Sequence, residues 1–240
     1  LDQVLIWVGI FGVILLSIHG TRWLLRQLIG ASSSQPEMVF SIEAFGYFTA
    51  YIWVFIIGIG LALGLEKSWA DMGFRWPQQP WLWVILGLII GWVFIPIRLA
   101  LIVVLMLIFD PKGLWGAPEE GEAWGDEITG WLLVALLQSL VMVVILAPLV
   151  EELVFRGFLQ PWLRRRFGVA LSIIGSGVLF GLAHQELWLS ISNIVMGFVL
   201  AAIYEYTGSL WVTIWIHFVN NATVMAFIAL LVLLVGLAGI

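Results

Sequence analysis

Long apolar runs alternate with short polar connections along all 240 residues. A hydrocarbon core about 30 Å thick needs about 20 consecutive apolar residues in a helix rising 1.5 Å per residue. The pattern predicts helices over 4–25, 42–65, 81–109, 128–163, 169–184, 189–206 and 210–237. Pro96, with Arg98 two residues on, predicts a kink in the third. The alternating short segments of a membrane β-barrel are missing from the pattern. The fold class that follows is all-α: a polytopic helical membrane protein, about seven transmembrane helices around a polar intramembrane cavity. We read residues 1–240 as a single integral-membrane domain, with no internal repeat or low-complexity tract.

Composition sharpens this picture. The mean hydropathy is +1.10, 62% of residues are hydrophobic and only 10% are charged. The first apolar run lacks a basic flank and an A-x-A-like cleavage site, so it reads as a membrane helix and not a signal peptide. With no Cys, disulfides, thiolate nucleophiles and Cys metal sites are excluded. A net charge of −5 without a basic tract argues against a nucleic-acid partner. The segment 66–80, mixing charge with Trp69 and Trp76, reads as lying at the membrane interface. Thr207-Gly208-Ser209 reads as a tight turn. If the Arg164–Arg166 end is cytoplasmic, Lys67 and Arg75 fall inside as well. The acidic loop 110–127 then falls outside, as do Arg22 and Arg26, and the balance favours an inside N-terminus.

Ionisable groups within such helices are expensive and point to function. Three clusters stand out: Glu151-Glu152-Leu153-Val154-Phe155-Arg156, Phe180-Gly181-Leu182-Ala183-His184 and His217-Phe218-Val219-Asn220-Asn221. Glu152 and Arg156 are four apart and can pair, as His217 and Asn221 can share a helix face. Glu151 lies about 100° from Glu152 around the helix, which leaves it to face a cavity. Counted from the surface near Arg164, Glu151 is about 20 Å deep, His184 about 22 Å, His217 about 12 Å and Asn221 about 18 Å. Residues distant in sequence thus fall at comparable depths. A buried Glu beside His suits general acid–base catalysis, and an Asn or His can donate to an oxyanion. Two His and a Glu are equally a zinc-ligand set. These readings converge on hydrolysis of an acyl bond by an activated water. No Ser sits in a G-x-S-x-G motif.

The order E-E-x-x-x-R, F-x-x-x-H, H-x-x-x-N resembles the CPBP family of intramembrane endopeptidases (CAAX proteases and bacteriocin-processing enzymes, also called Abi), which includes the Ras-converting prenyl endopeptidase. The segment from Tyr204 to Trp211 also follows the family's pattern. The motif core covers about 128–237. The resemblance implies that Glu151 and His184 bind and activate the attacking water. It implies that His217 and Asn221 stabilise the oxyanion or help hold the water, and that Glu152 and Arg156 order the site. A metal-free mechanism is favoured, because the H-E-x-x-H spacing is missing. Zinc on Glu151, His184 and His217 is the alternative. The implied partners are the lipid bilayer and a membrane-associated or lipidated protein or peptide substrate, in a bacterial plasma membrane.

Blander readings stand beside these. The acid pair could be an ion pair at a membrane surface, each His a helix–helix hydrogen bond, and His19 an interfacial residue. Arg164–Arg166 reads as a positive-inside stop, and Gly175, Gly177 and Gly181 as sites of close helix packing. Arg98 could line a cavity or form a buried ion pair. A non-catalytic binding or transport module would also retain a polar cluster, although one that had lost catalysis is expected to have lost one of Glu151, His184, His217 or Asn221.

Overall fold

The computed structural model describes residues 16, 20, 23, 24, 27, 46, 48–60, 68–109, 137–184 and 187–238, with side chains up to residue 230. Within them, four helical stretches are long and apolar enough to cross a membrane, and Phe48–Gly60 is a shorter apolar helix. We number the helices α1 (Phe48–Gly60), α2 (Pro80–Phe109), α3 (Leu137–Leu182), α4 (Leu187–Thr207) and α5 (Leu210–Ala238). No strand occurs among the described residues. The protein is therefore a polytopic helical membrane protein. Most of the expected first helix, the loop 31–36, the acidic loop 110–127 and the start of the fourth helix lie outside the described residues. So do His19, Arg22, Arg26, Lys67 and Lys112, on which the orientation reading leans.

The chain divides into two compact units. The first comprises 1–68 and 125–150, and among its described residues Ala50, Val54, Met142, Val144, Ala147 and Val150 are buried. The second comprises 69–124 and 151–240 and contains all three polar clusters.

In the second unit, residues 151–182 of α3 form two arms, which correspond to the end of the fourth expected helix and to the fifth. They are divided at Gly168, whose φ of 80° and ψ of 179° leave helical geometry. A positive φ is strained for any residue with a Cβ, so glycine fits this corner. The arginine run does not end the helix, which continues through Arg164–Arg166 up to the corner. The second arm folds back along the first: Ser176 Oγ donates to the Phe155 carbonyl at 3.4 Å, and the Phe155 and Phe180 rings meet edge to face at 5.3 Å. α4 then packs on the second arm. A Cβ on Gly177 would lie 2.1 Å from the Phe198 ring, and one on Gly181 would lie 2.6 Å from the Ser190 carbonyl. The close-packing expectation for these glycines holds. Gly197, which faces Gly177 from α4, is a third contact of the same kind.

α2 runs through Pro96 as one helix and packs on α5. Gly87 and Gly91 receive Trp215 and Val219, and Trp215 Nε1 donates to the Val84 carbonyl at 3.1 Å. The apolar core lies between these layers, with Met196, Leu200, Val212 and Ile216 buried and Trp83, Ile90 and Phe94 against them. Much of the remaining surface of α2 is exposed and apolar, including Ile85, Ile89, Trp92, Val93 and Ile108, as a helix facing lipid should be. Residues 68–79 form turns, not a helix. They cap α5: the Leu210 N–H donates to the Gly73 carbonyl at 2.8 Å and Ser209 Oγ donates to the Arg75 carbonyl at 2.6 Å. The expected turn before α5 is present, with Gly208 at φ 61°.

Gly177→Ala should destabilise the protein by about 1–3 kcal/mol, because the added methyl overpacks against both the ring and the backbone of Phe198. Gly60→Ala, with nothing within 4 Å of its Cβ, should be neutral or stabilising by up to about 1 kcal/mol. Thermal unfolding in detergent checks both, and equal melting of the Gly177→Ala protein and the parent would refute this packing.

Candidate active site

Glu151 and Glu152 close a regular helical turn, Ala147–Glu152, within α3. It is followed by a wide-turned π segment, Leu153–Leu159, that carries Arg156. Such π segments are rare and often occur at functional positions. Because the two acids lie on ordinary α geometry, they diverge around the axis as 3.6 residues per turn requires. Glu152 is fully buried, while the Glu151 side chain retains 14% exposure.

Glu152 holds the centre. Its Oε1 accepts from Arg156 Nη1 at 3.1 Å, the i,i+4 pair expected from the spacing. The same oxygen accepts from His217 Nδ1 at 3.0 Å. An ionised carboxylate can only accept, so Nδ1 carries the proton and Nε2 is the ring's other face. That Nε2 lies 3.9 Å from Glu151 Oε2. Two acids adjacent in sequence thus address the two nitrogens of one imidazole on a distant helix. The sequence reading gave Glu152 to Arg156 alone; its hold on His217 is new.

Arg156 is also fully buried. Its Nη2 donates to the Gly197 carbonyl at 3.0 Å, and its guanidinium lies over the Phe180 ring at 4.5 Å. A buried charge so placed has an ion partner, a backbone acceptor and an aromatic face. Phe180 is a platform for the whole group, with its ring 5.6 Å from that of His217 and 5.3 Å from that of His184. The F-x-x-x-H spacing signalled this, since residues four apart on a helix share a face.

His184 lies two residues past the end of α3, not within the helix as expected. Its Nδ1 is 3.0 Å from the Phe180 carbonyl. Its own carbonyl accepts from Ser190 Oγ in the first turn of α4. Asn221 lies one turn beyond His217 on α5 and is half-buried. Its neighbour Asn220 is the buried one: Oδ1 accepts from Arg98 Nη1 at 2.8 Å and Nδ2 donates to the Gly91 carbonyl at 3.1 Å. Arg98 therefore forms no ion pair among the described residues. Its other Nη donates to Asn193 Oδ1 at 2.6 Å and to Ser192 Oγ at 3.2 Å.

As to zinc, no three His or carboxylate side chains are arranged to hold a metal ion among the described residues. His217 donates from Nδ1 to Glu152, which leaves Nε2 as its other nitrogen. A carboxylate on the second ring nitrogen is how metal-bound imidazoles are commonly oriented, so this contact is compatible with zinc on Nε2.

Removing one member of a buried pair strands the other charge. Arg156→Ala should cost about 3–5 kcal/mol. The double variant Glu152→Gln/Arg156→Met should unfold at a higher temperature than Arg156→Ala. Thermal or denaturant unfolding is the measurement, and an Arg156→Ala protein as stable as the parent would contradict the pairing.

Residues 132–223 match the family model described as type II CAAX prenyl endopeptidase Rce1-like. A curated relative, named "Putative membrane peptidase YdiL" of Bacillus subtilis (strain 168), is 28% identical over 113 residues. That alignment takes in 47% of this chain and 44% of the relative, so it spans less than half of the relative's length. No solved structure matches. The matched stretch contains both acids, Arg156, both histidines and Asn221, and through it this part of the chain is similar to the type II CAAX prenyl endopeptidase family.

Proposed function

We propose that this protein is an intramembrane endopeptidase that hydrolyses a peptide bond of a membrane-associated or lipidated protein by a Glu/His-activated water. Similarity to the family model and to a membrane peptidase supports a membrane protease. The observation that carries the finer reading is the convergence of Glu151 and Glu152 on opposite nitrogens of His217.

The roles follow from burial and position. Glu152 is engaged by Arg156 and His217 and is fully buried, so it orders the site. Glu151 keeps some exposure and is the general base. It takes a proton from a water positioned with His184, and the water oxygen bonds to the scissile carbonyl carbon. With Nδ1–H donating to Glu152, His217 turns Nε2 toward the water and steadies it. The Asn221 amide donates to the oxyanion as the carbonyl π bond opens. On collapse the carbon–nitrogen bond breaks, and Glu151 returns its proton to the leaving amine. The water is thus split between the two products, with no net proton change at the enzyme. The substrate would be a lipidated or membrane-resident protein, and the setting a bacterial plasma membrane.

The test is cleavage of lipidated and transmembrane peptides by the purified protein in proteoliposomes. Glu151→Gln and His184→Ala should each reduce the rate by about 10²–10⁴-fold, the usual worth of a positioned acid–base group. A parent that cleaves while both variants cleave equally well would remove these residues from the mechanism. A parent that cleaves none of the peptides would favour a binding or transport role. One zinc per chain with chelator-sensitive activity would replace the metal-free scheme with a metal-assisted one.

A further inference from the structure

Arg98 is a charged side chain inside a long apolar helix that the proposed mechanism leaves unused. It sits in the middle of α2, beyond Pro96, in a helix otherwise without a charge. Its guanidinium reaches two other helices at once: Nη1 to Asn220 on α5, and Nη2 to Asn193 and Ser192 on α4. Each acceptor is neutral and buried. Charge-assisted bonds of this kind are the stronger ones, and a planar fork fixes direction as well as distance.

What the fork holds is significant. Asn220 lies between His217, three residues before it, and Asn221, the next residue. Asn220 is tied a second time to α2 through the Gly91 carbonyl, so α5 cannot rotate about its axis without breaking both bonds. Asn193 lies three residues after Ser190, whose hydroxyl donates to the His184 carbonyl. One guanidinium therefore joins the helix that carries His217 and Asn221 to the helix turn that anchors His184.

We propose that Arg98 is a positioning residue, fixing His184 relative to His217 and Asn221 through its simultaneous hold on α4 and α5. This rests on the protease reading for its kinetic consequence, though not for its structural one. The role belongs to the fork and not to the positive charge. A lysine ammonium is a single point on a flexible stem and cannot span Asn220 and Asn193 in fixed directions.

The test uses Arg98→Ala and Arg98→Lys in the full chain. Because a misplacement of about 1 Å can cost about 10²-fold, both should lower kcat by about 10–100-fold while KM stays within about threefold. Arg98→Ala should also lower the melting temperature, since it strands three buried acceptors, so kcat is compared at a temperature at which each variant is fully folded. Recovery of kcat by Arg98→Lys would overturn the proposal, since charge alone would then suffice. A raised KM with kcat unchanged would overturn it too, by making Arg98 a direct substrate contact. A kcat loss that merely follows loss of folded protein would do the same.

A second readout is independent of cleavage. The chain has no Cys, so spin labels attached to Ala183→Cys and Ala222→Cys report a single distance. That distribution should broaden in both Arg98 variants. An unchanged distribution would overturn the proposal whatever the cleavage assay gives, and a broadened one in a protein that cleaves nothing would uphold it while the protease reading falls.

Discussion

A carboxylate with no exposure to solvent, inside a helical membrane protein, has to be held by its neighbours or it would not be there. Glu152 is held by Arg156 from its own helix and by His217 from α5. Much of the second unit's architecture serves that hold. Gly177, Gly181 and Gly197 let α3 and α4 approach until the Gly197 carbonyl meets Arg156. Phe180 lies beneath the guanidinium and beside both imidazoles. Buried ion pairs are poor sources of stability compared with apolar packing. This one reads better as a device for orientation: it commits one nitrogen of His217 and thereby defines what the other can do.

The sequence carried the local part of this arrangement and missed the distant part. Helix positions, the Glu152–Arg156 pair and the different fates of the two acids all follow from period and spacing, which are properties of one segment at a time. The hold of Glu152 on His217 does not, because residues 65 apart meet only through the packing of three helices. The depth estimates put Glu151 and His217 about 8 Å apart along the membrane normal, measured on straight helices from one surface. The structure has them within 3.9 Å. The first figure is a backbone height and the second a distance between side-chain tips, so the reach of a Glu and a His closes the difference.

Asn220 and Asn221 show the same limit in miniature. The H-x-x-x-N spacing singled out Asn221, on the face of His217. Its neighbour, 100° around the helix, is the more deeply buried and is fixed by two bonds to α2. Nothing in the local pattern connects Asn220 to Arg98, 122 positions earlier. Arg98 was visible as an anomaly in an apolar helix, but its partners were not. Its reach across Ser192, Asn193 and Asn220 is a tertiary fact, and it puts α2, which lies outside the matched family region, at the edge of the site.

The i,i+4 spacing of Glu152 and Arg156 also bears on how the chain enters a bilayer. A pair four residues apart closes as soon as its own turn forms and waits for no other helix. The two charges can leave the aqueous phase as one neutral unit, at a fraction of the several kcal/mol each would cost alone. His217 is made 65 residues later, on the last described helix, and joins a carboxylate already neutralised. Synthesis from the N-terminus therefore delivers the partners in the order in which the buried acid needs them: first the one that permits insertion, and then the one that completes the site.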